Sequence, residues 1–66
     1  AIAEYRRVVA AHPDFADAHF NLGLCLEEVG STEQARHCFQ RYLESENDPD
    51  SLWCRLARDH LKRIES

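Results

Sequence analysis

The apolar positions fall into four stripes at helical spacing, separated by three clusters of turn residues. Ile2, Tyr5, Val8 and Val9 recur every three or four places, which puts them on one side of a helix over about 1–12. His12, Pro13 and Asp14 break that pattern. Ala18, Leu22, Cys25, Leu26 and Val29 form the second stripe and predict a helix over about 16–29. Gly30 follows, free to take the left-handed conformation that closes a helix. The third stripe, Ala35, Cys38, Phe39, Tyr42 and Leu43, predicts a helix over about 32–46. Ser31 and Gln34 stand three apart ahead of it, the spacing of a capping box. After Asn47, Asp48 and Pro49 supply a cap and a first-turn residue for a last helix over about 49–64. Its stripe is Leu52, Trp53, Leu56, Ala57, His60, Leu61 and Ile64.

The link between the second and third helices is only two or three residues, which forces antiparallel neighbours and makes 16–46 a helical hairpin. Sliding the chain by 34 places lays Ala1 on Ala35, Tyr5 on Phe39, Val8 on Tyr42, Val9 on Leu43 and Asp14 on Asp48. It also lays His19 on Trp53, Leu22 on Leu56 and Gly23 on Ala57. Identities are few, but size and polarity agree, and this period resembles that of the tetratricopeptide repeat, a unit of helix A, tight turn and helix B. Asn21, Leu22 and Gly23, then Leu26, Gly30, Ala35, Phe39 and Leu43 follow the family pattern, and Pro13 sits where the family carries a proline. Small Gly23 and Ala35 let the two helices of the unit approach closely. His19 stands in place of the usual aromatic, Tyr42 in place of a small residue and Asn47 in place of a proline.

The resemblance implies an all-α, antiparallel helix-hairpin repeat, an α-solenoid of the superhelical kind. Residues 1–12 correspond to helix B of a preceding unit, 14–48 to a complete repeat, and 49–66 to a C-terminal capping helix. The first residues already read as mid-helix, so the chain is expected to continue a longer one. Helix A residues line the concave surface in the family. That implies a groove built from Asp17, Phe20, Asn21, Leu24, Glu27 and Glu28 in the complete repeat and Arg55, Arg58 and Lys62 in the last helix. Asn21 matches an asparagine that grips peptide backbones, and Arg55 matches a clamp arginine, although Ser51 occupies the position of its lysine companion. The implied function is a protein–protein interaction module holding a peptide or protein segment in that groove, with a structural or oligomerisation appendage of a larger protein as the alternative.

Phe20 and Leu24 are apolar yet off the packing stripe, so either a neighbouring helix or a ligand side chain must cover them. Ile2, Tyr5 and Val9 leave part of a stripe open; burying each is worth about 1.5–3 kcal/mol, so self-association into a homodimer through them is expected.

Composition narrows the partners. A formal net charge of −4 disfavours nucleic acid, which is bound by surplus Lys and Arg. Four of the eight cations, Arg55, Arg58, Lys62 and Arg63, lie in the last helix, while acids dominate from Glu27 to Asp50. That polarity points the basic end toward an acidic partner. No apolar run reaches a membrane span. Three cysteines, an odd number without a secretory leader, fit free thiols in a reducing, cytoplasmic setting.

Candidate chemistry is sparse. Cys25, Cys38, Cys54 and the four histidines show no paired metal-ligand spacing, so neither metal nor cofactor is expected. His37 adjoins Cys38, but neighbours on a helix diverge by about 100°, which denies a thiol its base. Glu44, Glu46, Asp48 and Asp50 lack the glycine and closing glutamate of a calcium loop. A non-enzymatic protein is the reading these residues support.

Overall fold

The structure, a computed structural model, describes residues 2–65; Ala1, where the first predicted helix begins, and Ser66 lie outside the described residues. Four helices follow one another: α1 (Ile2–Ala11), α2 (Ala16–Glu28), α3 (Thr32–Ser45) and α4 (Leu52–Glu65). There is no strand among the described residues. The largest interface joins α2 to α3, while α1 packs on α2, and α4 packs chiefly on α3.

The hairpin is closed by backbone chemistry. Gly30 takes φ +87°, the N–H of Ser31 reaches the carbonyl of Leu26 at 2.9 Å, and that of Gly30 reaches Glu27 at 3.1 Å. This pair of bonds satisfies carbonyls that the helix end would otherwise orphan. The predicted capping box does not form: the Ser31 side chain caps nothing. Gln34 instead accepts a bond from Arg6 of α1 at 3.1 Å, because its exposed amide lies within reach of the guanidinium on the adjacent helix.

Inside the hairpin, Gly23 and Ala35 bring the helices close. A Cβ built on Gly23 would stand 2.9 Å from Cε1 and Cζ of Phe39, so the phenyl ring occupies the space that a side chain on α2 would need. Leu22, Leu26, Ala35, Phe39 and Tyr42 are buried around it. His19, in the place of the family aromatic, is also buried. Its Nε2 lies 2.8 Å from the carbonyl of Pro13; since a carbonyl only accepts, the ring proton sits on that nitrogen. Val29, counted on the second stripe, is exposed because it already belongs to the cap turn.

The last helix departs most from its prediction. It starts at Leu52, three residues later than Pro49. Asp48 Oδ1 accepts from the N–H of Asp50 at 3.1 Å, a turn that uses up the intended cap, and Ser51 Oγ accepts from the N–H of Cys54 at 3.2 Å. Ser51 is therefore the cap. The buried stripe is displaced as well: Cys54 and Ala57 are 0% exposed, whereas Leu52 is 62% and Trp53 57% exposed. Packing on α3 selects the arc of Cys54, Ala57, Leu61 and Ile64, and no element among the described residues covers the outer side of Leu52 and Trp53. Arg55, Arg58 and Lys62 are exposed, as a polar outer face requires.

Candidate functional site

The groove expected along helix A can now be traced residue by residue. Asp17, Phe20, Asn21 and Leu24 occur at three- and four-residue spacing on α2, so they share one flank. They line a single recess of about 310 Å³ together with Tyr42 of α3 and Trp53 of α4. The order along the flank is charge, ring, amide and isobutyl. Asp17 is exposed, Asn21 and Leu24 are half-buried and Phe20 is buried.

The cover for Phe20 is protein. Its ring meets Phe39, Tyr42 and Trp53 edge to face, with centroids 5.7, 5.2 and 5.8 Å apart. Such contacts set electron-poor edges against electron-rich faces and contribute about 0.5–1.5 kcal/mol beyond area burial. Phe20 thus forms the floor of the recess and Trp53 its wall. Tyr42 and Trp53 were assigned by periodicity to the packing stripes alone; their lining role follows from side-chain length. The one available signal was Tyr42 standing where the family carries a small residue.

Tyr42 is almost wholly buried, and its hydroxyl donates to Glu46 Oε2 at 3.2 Å. Burial first, then the Glu46 bond and its charge, push the phenol up to about 12. The folded form therefore holds the neutral phenol, and stability is complete below the ordinary tyrosine value near 10 and lost as pH rises from about 10 to about 12. Urea unfolding followed by circular dichroism is expected to lose about 2–3 kcal/mol across that window, and Tyr42→Phe to remove this contribution.

The remaining residues expected in the groove go elsewhere. Arg55, Arg58 and Lys62 do not line this recess; along α4 they lie roughly 140–180° around the helix from Trp53 at 100° per residue. They form a separate exposed strip. Glu27 is half-buried and engaged by α4: its Oε1 lies 2.7 Å from Nδ1 of His60. That nitrogen also lies 2.6 Å from Arg63 Nη2, so it donates to the carboxylate when protonated and accepts from the guanidinium when bare. The His60 ring stacks on Phe39 with centroids 5.1 Å apart, tying α4 to the core. Glu28 is exposed and borders a different recess with Ile2 and Cys25.

Ile2, Tyr5 and Val9 are half-buried and pack against the core; only part of each remains available for self-association. Burial pushes the Cys38 thiol up, with the Arg6 charge opposing, and a raised thiol stays protonated and poorly nucleophilic at neutral pH. All three cysteines are free. Among the described residues no group of three or more His, Cys, Asp or Glu is placed to hold a metal ion. No helix among them is long and apolar enough to cross a membrane.

Comparison with known proteins adds one finding. No curated protein and no solved structure matches the chain. The family model of the tetratricopeptide repeat matches residues 1–51, the stretch that contains α1, the closed hairpin and the joint leading to α4. Repeats of this kind are generally protein–protein interaction modules. With Gly23 against Phe39, Gly30 at the turn and a match over most of its length, the chain belongs to the tetratricopeptide repeat family.

Proposed function

We propose that the chain is a non-catalytic module that holds a peptide or protein segment along α2, with Asp17, Phe20, Asn21 and Leu24 as its contact residues. The observation that supports this most is the convergence of those four side chains, with Tyr42 and Trp53, on one recess. An asparagine amide offers both a donor and an acceptor, the pair of functions an extended peptide backbone presents, and Leu24 offers apolar contact beside it. Arg55, Arg58 and Lys62, as a separate strip, serve a second contact on the same partner.

The test is selection of binders from a peptide array, followed by affinity measurement. Asn21→Ala is expected to weaken capture by about five- to tenfold, the worth of one or two backbone hydrogen bonds, while Arg55→Ala has a smaller effect. Unchanged affinity on losing Asn21 would sink the groove assignment.

A second reading, a structural or oligomerisation appendage, draws on the exposed Leu52 and Trp53 and on the uncovered parts of Ile2, Tyr5 and Val9. Light scattering at high concentration tests it, a dimer supporting this reading and a monomer counting against it.

A further inference from the structure

We infer that the recess between α2 and α4 takes a basic side chain, lysine or arginine, from the bound segment; this rests on the groove reading above and specifies its ligand. Only one of the six lining residues is charged, and it is Asp17. A second carboxylate, Glu46, is not among the six and accepts the hydroxyl bond of Tyr42 at 3.2 Å. No lysine or arginine lines the recess. Arg41, next to Tyr42 in sequence, lines a different recess, and Arg55 and Arg58, the cations nearest to Trp53 in sequence, sit on the far side of α4 from it.

The walls agree with the charge. Three rings, Phe20, Tyr42 and Trp53, border the space, and Trp53 is left 57% exposed. The negative face of an indole attracts an ammonium or guanidinium more strongly than any other side-chain ring. Leu24 and the ring edges accept the methylene stem of such a side chain while its head remains near Asp17. An acidic side chain would instead meet the carboxylate of Asp17, and a purely apolar one would leave Asp17 with nothing gained. The occupant is thus opposite in sign to the acidic partner that the cations of α4 suggest from sequence.

Trp53 is the one tryptophan of the chain, so its indole N–H gives a single, assignable signal at the recess. The test titrates the isotope-labelled chain with four capped, degenerate hexapeptide libraries that differ only in a fixed central residue: lysine, arginine, norleucine or glutamate. The lysine and arginine libraries are expected to move the Trp53 indole and the amides of Asp17 and Leu24. Half-saturation should come at about two- to fivefold lower concentration than with norleucine, the scale of an exposed cation–ring contact. Asp17→Asn should narrow that gap with helix content unchanged. Norleucine or glutamate acting at the recess as strongly as lysine would overturn the basic-side-chain inference and leave the groove standing. Should no library move any resonance of the α2 flank, the groove reading itself fails, and this inference with it. A lysine preference that survives both Asp17→Asn and Trp53→Leu would overturn the inference alone.

Discussion

Replacing Phe39 by alanine is expected to abolish the folded state at 25 °C. The ring is 0% exposed and joins α3 to two other helices: it lies over Gly23 of α2, meets Phe20 of the same helix edge to face and carries His60 of α4 stacked on it. Truncating a buried phenylalanine costs about 3–5 kcal/mol from lost transfer energy and the cavity left behind. A core within 66 residues seldom supplies more than a few kcal/mol in total. The loss therefore matches or exceeds the whole stability. Far-UV circular dichroism should show helix content collapsing in Phe39→Ala, whereas Phe39→Leu should keep a cooperative transition at reduced midpoint. A Phe39→Ala protein that unfolds cooperatively within about 1 kcal/mol of the parent would refute the central place given to this ring.

The sign of Gly23→Ala is decided by a contest between two terms. Alanine is a better helix former than glycine by about 1 kcal/mol. Against that, the new methyl would sit 2.9 Å from two carbons of the Phe39 ring. A side-chain tip can sometimes swing away cheaply, but this one is wedged between Phe20 and His60 and has no exposed flank. Overpacking of this kind costs about 1–3 kcal/mol, so net destabilisation of up to about 2 kcal/mol is expected from chemical denaturation. The same clash makes the two positions interdependent. In a double-mutant cycle Gly23→Ala should cost measurably less on a Phe39→Leu background. Additive losses would show that the methyl is accommodated by helix separation and not by the ring.

The features legible in the chain are those written into the spacing of one segment. Gly30 as a left-handed stop, Ala35 and Gly23 as small contacts, and the stripe of Leu22, Leu26 and Phe39 all depend on residues within one hairpin. Periodicity sees such residues directly. The last helix was harder for a geometric reason: Trp53 and Cys54 are adjacent, about 100° apart, and both border an apolar arc. Which one turns inward depends on the surface α4 meets, and that surface belongs to α3. The bond between Glu27 and His60 was equally hidden, since its partners lie 33 positions apart and nothing local pairs them. Capping chemistry misled where two solutions competed, as at Asp48 and Ser51, whose side chains both offer an oxygen to nearby amides. In the groove, the resemblance grouped Asp17, Phe20, Asn21 and Leu24, which line one recess, but carried Glu27, Glu28, Arg55, Arg58 and Lys62 along by analogy. The chain's own Tyr42 and Trp53 complete the recess instead.

The placement of those three cations has a directional consequence. One side of α4 sets Trp53 in the recess with Asp17 of α2; the opposite side offers guanidinium and ammonium groups. A strand wrapped over the outward face of this helix passes from a negative environment to a positive one within half its circumference, about 16 Å. Only a strand whose own charges change sign in the matching order satisfies both banks, and reversing it end for end sets like against like. On the groove reading proposed above, α4 would admit such a ligand in one orientation and turn away the same segment reversed.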